Sequence, residues 1–393
     1  MAQQPDDPSR AAVKKFGVMV DEFSHLAGAS DFIVSFVDGL VRASGTREVA
    51  LIVRGPKEGW LPGLRRLFGA GLPKLPAFNV PHHAGALDKL CRDTGIDVIG
   101  PVHAVPEPAF TFPCVGFIYD FQHVHLPQYF TPQMIAERDN SFRAALQRAP
   151  AIVVHSEDVK RDAEAFLPSM KAKIFILPLA AAPPPEWLTA DPAAAQAKYG
   201  IGSEYFLVSN QFWIHKRHET AIEAFAKVAP GHPGLRLVLT GATDDSRVPT
   251  RLQDLKDLIA RLGVGDRIHI LGLIPKLDQI AIMRGARALI QPTAFEGSPG
   301  SLATYDAIAL GVPTIISDIS VNREIADHVT MYFPLDDATT LADRMERLLE
   351  TPRTAKSAET LLSEGDARRL RFGEEIWAAA EYAARHAPAD HSG

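Results

Sequence analysis

Residues 288–318, ALIQPTAFEGSPGSLATYDAIALGVPTIISD, constrain the fold more than any other stretch of the chain. ALIQP and PTIIS are apolar runs of strand length. Between them lie a Gly-rich segment and the apolar run SLATYDAIAL, which stops at Gly311-Val312-Pro313. Strand, loop, helix and strand make a βαβ unit with parallel strands. The loop around Phe295-Glu296-Gly297-Ser298-Pro299-Gly300 then sits at the C-terminal end of the first strand, where open α/β sheets bind ligands. Two acids, Glu296 and Asp306, flank it in apolar surroundings.

The same alternation runs through the rest of the chain. FGVMV at residues 16–20 reads as a buried strand, followed by a loop with Gly28-Ala29-Ser30. Residues 31–42 carry Phe32, Ile33, Phe36, Val37 and Leu40 at the spacing of a core-facing helix. Ser30 is placed to cap that helix, and Gly28 permits close backbone approach at its N-terminus. A strand at 48–53 completes a βαβ unit without G-x-G-x-x-G, so a dinucleotide fingerprint is absent. Strands at 97–99, 115–119, 151–154 and 173–177 alternate with helices at 85–94, at 132–148 and up to Phe166. Residues 180–185, AAAPPP, form a stiff spacer that excludes helix and sheet pairing. A second series follows, with strands at 205–209, 235–240 and 268–271 and helices through 219–225, 252–262 and 277–284. Last come the 288–318 unit and a helical region beyond Thr340.

Such alternation implies parallel sheets covered on both faces. A chain of 393 residues is also too long for one ordinary core. The expected architecture is α/β, with two tandem Rossmann-like domains whose parallel sheets face across a cleft. The domains are expected over residues 1–182 and 183–365, with a C-terminal helix and tail over 366–393.

Composition narrows the class. With 46% hydrophobic and 22% charged residues the chain is globular rather than disordered. A net charge of −6, with Lys and Arg scattered, argues against nucleic acid as a partner. Cys91 and Cys114 fall in different elements, so neither a disulfide framework nor a zinc site is expected, and a reducing cytosol fits. The polar N-terminus has no signal-peptide core, and no apolar run approaches bilayer length. WLPGLRRLF at 60–68 mixes aromatic, aliphatic and basic residues; it reads as a loop and surface helix, with peripheral membrane contact as the alternative.

Several residues carry candidate chemistry. Asp120, His123 and His125 follow the strand at 115–119, where they are placed to meet a substrate or to serve as structural loop residues. As a metal site the two histidines have only Asp120 as a local third ligand, so metal binding is not expected. Asp306 is the sole charge on a helix apolar nearly all round, and a buried carboxylate needs a donor. That donor is either a protein group or a diol such as a nucleotide ribose, and the adjacent loop favours the ribose. Amides of Gly297, Gly300 and Ser301 are expected to face a phosphate at the helix N-terminus.

From residue 205 to 320, and more weakly from 115 to 179, the sequence resembles the GT-B-fold retaining glycosyltransferases of family four (glycosyl transferases group 1). Asn210-Gln211-Phe212-Trp213-Ile214-His215-Lys216 is similar to the family's G-R-L-x-x-x-K-like turn. The resemblance makes Lys216 the donor-diphosphate lysine and sets Gln211 where the family usually has arginine. Arg217 replaces the missing cation if its side chain turns inward. Glu296 matches the first of the family's paired acids, while the usual spacing reaches Thr304, which is not acidic. Alignment on Ala307-Ile308-Ala309-Leu310-Gly311-Val312-Pro313, similar to the family's A-x-A-x-G-x-P, puts Asp306 in the second place with a loop two residues longer.

The resemblance implies transfer of a hexose-type sugar, with retention, from a GDP- or UDP-linked donor to a saccharide or lipid-linked saccharide acceptor. The nucleotide-sugar is a substrate, and neither cofactor nor metal is implied. Residues 183–365 would bind the donor and 1–182 the acceptor, in the cytoplasm or at the inner face of a membrane, in surface polysaccharide or glycoconjugate synthesis. Lys216, Gln211, Asp306, Gly297, Ser298, Gly300, Ser301 and Gly28 would hold the donor. Glu296, His123 and Asp120 would serve the reaction, with Glu296 on the sugar hydroxyls. The family's usual N-domain histidine falls at Tyr119, which divides that role among Asp120, His123 and His125. Two rival readings are a nucleotide-sugar epimerase on the same fold and a degenerate binding protein, the latter supported by Gln211 and Thr304.

Overall fold

The computed structural model describes residues 12–20, 29–54, 75–81, 83, 85–103 and 112–387. Runs such as EVALIVR and YFLVS are buried at nearly every position, which suits strands covered on both faces. Strands β1 (Lys15–Met19), β2 (Glu48–Arg54), β3 (Ala77–Val80), β4 (Val98–Val102), β5 (Cys114–Phe117), β6 (Ala151–Val154) and β7 (Lys173–Ile176) form one sheet, ordered β3-β2-β1-β4-β5-β6-β7. A second sheet contains β8 (Tyr205–Ser209), β9 (Arg236–Thr240), β10 (Ile268–Gly272), β11 (Leu289–Gln291), β12 (Thr314–Ser317) and β13 (Met331–Phe333), ordered β10-β9-β8-β11-β12-β13. The pairings in both sheets are parallel.

Each sheet begins at an inner strand, builds outward on one side, then returns to the other flank of that strand. β1 thus neighbours β2 and β4, and β8 neighbours β9 and β11. Connections leaving in opposite directions open a crevice at the C-terminal strand ends. Leu289 of β11 pairs with Leu207 of β8, so Gln291 ends β11 level with Ser209. At the end of β9, Gly241 has φ 132°, and a Cβ there would lie 2.0 Å from the Asn210 carbonyl oxygen. Only glycine permits that approach of the two loops.

The chain divides into two compact units, one over residues 181–366 and the other combining the described residues up to Ala180 with those from Ala367. The described residues from Ala367 onward thus belong with the first unit. Helix Ala358–His386 sends Phe372, Ile376 and Trp377 into the first unit's core, among Phe16, Val18, Phe36 and Leu40. Trp377 Nε1 donates to the Leu40 carbonyl at 3.0 Å. The spacer also differs from expectation, because Pro185 opens a short helix, Pro185–Thr189. Proline is tolerated in the first helical turn, where its missing N–H costs nothing. No helix among the described residues is long and apolar enough to cross a membrane. Residues 60–68 and Gly28 lie outside the described residues.

Candidate functional site

In the second unit, the loops after β8 and β11 meet at the switch point. Ile214–Lys216 forms one 3-10 turn, closed by Arg217 in the left-handed conformation. The Ala294 amide donates to the His215 carbonyl at 2.8 Å, tying the β11 loop to that turn. Lys216 Nζ then reaches Glu296 Oε1 at 2.6 Å, and each side chain is only 9% exposed. Such a pair lies in a medium of low effective dielectric, where losing one partner leaves an uncompensated charge.

Positive charge gathers at this turn. Burial, followed by the nearby Lys216 and Arg247, pushes the His215 ring down to about 2. Arg247 lies over the Trp213 ring at 5.1 Å and donates to Asp245 at 2.9 Å. Asp245 is buried and also accepts from the Ile214 amide at 3.3 Å. Arg217 does not turn inward to replace the family's arginine; its guanidinium lies 3.2 Å from Asp336 and 3.7 Å from Glu219. Gln211 occupies the same turn, partly buried.

The Gly-rich loop departs from expectation. Gly300 and Ser301 both have positive φ, 69° and 67°. The Gly300 amide donates to Asn322 Oδ1 at 2.7 Å, and the Ser301 amide to the Ser298 carbonyl at 3.2 Å. Two of the three amides expected to face a phosphate are thus engaged by protein acceptors, Gly300 by Asn322 and Ser301 by Ser298 within the loop. Thr304, buried on the following helix, donates its hydroxyl to the Gly300 carbonyl.

Asp306 is buried on helix Ser301–Ala309, as its apolar neighbours require. Its Oδ2 accepts from Lys276 Nζ at 2.7 Å, so the carboxylate has a protein donor. Lys276 lies 5.1 Å over the Trp187 ring. The preference for a ribose over a protein donor did not allow for Lys276, which is 30 residues away in sequence.

In the first unit, the His123 side chain is fully buried. Its Nδ1 accepts from Arg138 Nε at 3.2 Å, so Nε2 carries the proton and donates to Asp139 Oδ1 at 3.0 Å. The ring is buried beside Phe142 and Phe121, and burial, reinforced by Arg138, lowers its pKa. Asp120 accepts from Arg138 at 2.7 Å and from the Gln122 amide at 2.9 Å. His125 pairs with Asp162 at 2.8 Å on the surface. Arg138 and the aromatic cluster thus give the Asp120–His123 segment a structural job, one of the two roles left open by the sequence.

The fold gathers Tyr119, already marked by the resemblance, with His103 and His155, which sequence reasoning missed. His103, Tyr119 and His155 follow β4, β5 and β6, and their rings cluster with Phe117 and Phe32 at 4.4–6.2 Å. Burial lowers both histidines to about 4, so each ring is neutral near pH 7. Their common position just after parallel strands was the available signal. Gln291, a fully buried amide in the otherwise apolar ALIQ, was a second.

Two Rossmann-like units, each with a parallel sheet and a switch point, define the GT-B class of glycosyltransferase folds. Residues 194–361, within the second unit, match the family described as Glycosyl transferases group 1. A curated relative, an exopolysaccharide phosphotransferase of Streptomyces coelicolor, is 28% identical over 229 residues, covering 57% of this chain and 22% of the relative. The chain therefore matches less than a quarter of that protein's length. Among solved structures, sucrose-phosphate synthase from Thermosynechococcus elongatus is 16% identical with a TM-score of 0.61, covering 93% of this chain and 94% of that one. Anabaena HepE, solved with UDP and glucose, is 14% identical with a TM-score of 0.59, covering 92% and 95%. These likenesses establish the fold.

Proposed function

We propose that this protein transfers a hexose from a UDP- or GDP-linked donor to a saccharide or lipid-linked saccharide acceptor, with retention and without a metal. The observation that carries the reading is the buried Lys216–Glu296 pair at the switch point of the unit that matches the group 1 family. A donor diphosphate offers Lys216 a second anionic partner, and Glu296 is then turned to the hydroxyls of the sugar. Asp306, with Lys276 on Oδ2, supplies the ribose contact. The bond from the sugar C1 to the diphosphate breaks as the acceptor oxygen bonds C1 on the same face. The acceptor proton passes to the departing phosphate oxygen, and Lys216 stabilises the charge that develops there. The first unit binds the acceptor, at the cytoplasmic face of a membrane during polysaccharide or glycoconjugate assembly. The similarity to a protein solved with UDP and glucose supports a nucleotide-sugar donor.

A thermal-shift panel of UDP, GDP, ADP and their sugars tests the donor. A ligand at 100 times its Kd adds about 2.7 kcal/mol of apparent stability. The expected result is a raised Tm with UDP or GDP, lost in Lys216→Ala. Transfer to oligosaccharides, with the product's anomeric configuration read by NMR, tests the rest. No shift with any nucleoside diphosphate, or turnover abolished by a chelator, overturns the corresponding part.

A further inference from the structure

We infer that Gln291 is a positioning residue that aims the carboxylate of Glu296 and ties it to the Gly-rich loop. The inference rests on the role proposed above for Glu296. Gln291 ends β11 and is fully buried, directly after Leu289 and Ile290, where an aliphatic side chain would satisfy the strand. A buried amide is costly unless its hydrogen bonds are made. Here three are made: Nε2 donates to Glu296 Oε1 at 3.0 Å and to Ser301 Oγ at 2.9 Å, while Oε1 accepts from Asn210 Nδ2. A carboxylate only accepts, so the amide nitrogen must face Glu296.

Asn210 opens the turn that also carries Lys216, and Ser301 begins the helix after the Gly-rich loop. One side chain therefore links the β8 turn, Glu296 and the loop. Lys216 and Gln291 both donate to the same oxygen of Glu296. When Lys216 engages a diphosphate, Gln291 is the donor that stays, and it holds Glu296 toward the sugar.

The test compares wild type, Gln291→Leu and Asn210→Leu/Gln291→Leu for Tm, UDP and GDP affinity, and turnover of the matching donor sugars. Small misplacement of a reacting group costs up to about 100-fold in rate, so turnover in Gln291→Leu is expected to fall about 10- to 100-fold. Diphosphate affinity stays within about threefold because Lys216 is retained. The single variant also loses stability, because the Asn210 amide is left buried without its acceptor. Replacing both partners removes that orphan and restores Tm. Turnover in the double variant is expected to stay low, which a merely structural role does not predict. A double variant with wild-type Tm and at least half of wild-type turnover overturns the inference. A wild type that neither binds the diphosphates nor consumes their sugars overturns the functional reading, and this inference with it.

Discussion

Lys216 Nζ and Glu296 Oε1 lie 2.6 Å apart across 80 residues of sequence, each at the C-terminal edge of one of two adjacent strands, β8 and β11. In this state the lysine charge is compensated by the acid. Glu296→Gln removes the compensation while keeping the side chain's size. Nucleoside diphosphate affinity is then expected to be unchanged or higher, with turnover down at least about 100-fold. Isothermal titration and initial rates check both, and affinity reduced tenfold would show that the acid holds Lys216 in place for the nucleotide.

Asp306 and Lys276 form a second ion pair at 2.7 Å, on the helix that follows the Gly-rich loop. If Asp306 also receives a ribose, 2′-deoxy-UDP should bind about tenfold more weakly than UDP. Lys276→Met leaves the buried carboxylate short of a donor, and a loss of about 1–3 kcal/mol is expected in urea unfolding. Equal affinity for ribose and deoxyribose nucleotides would assign Asp306 a purely structural part.

The first unit should be sensitive to acid. His103 and His155 have folded pKa values near 4 because burial opposes their charged forms, against an ordinary value of 6.5. Below 6.5 the unfolded chain takes up protons that the folded chain refuses, so stability falls as pH drops from 6.5 to about 4 and levels off below. Each ring contributes at most roughly 3 kcal/mol over that window. Urea unfolding at pH 7, 5.5 and 4 should show the decline, and His155→Phe should flatten it; an unchanged slope would refute the assignment.

Trp377 tests the return of the C-terminal helix to the first unit. Trp377→Ala is expected to destabilise that unit by about 3–5 kcal/mol, as for other large core aromatics. The second unit should keep its nucleotide response. A change below about 1 kcal/mol would show that residues beyond 366 are dispensable to the first core.

Much of this was legible in the residues. Continuous apolar runs and period-3.6 apolar patterns mark strands and helices wherever local burial dictates them, as at Tyr205–Ser209 and Pro132–Arg148. The βαβ unit around Glu296, and Asp306 on a buried helix, followed from the same patterns. β3 and β13 escaped because short strands carry little periodicity and gain their pairing from neighbours distant in sequence.

What only the tertiary structure decided is who meets whom. Asp306 found Lys276, His123 found Arg138 and Asp139, and Arg217 found Asp336 rather than the donor turn. The Gly300 amide found Asn322, and the Ser301 amide bonded to Ser298 within its own loop. Local sequence governs which backbone a segment prefers and whether a charge is buried. A buried charge or amide, however, takes whichever partner the fold brings within hydrogen-bonding distance, and the order of strands in the sheet sets that partner.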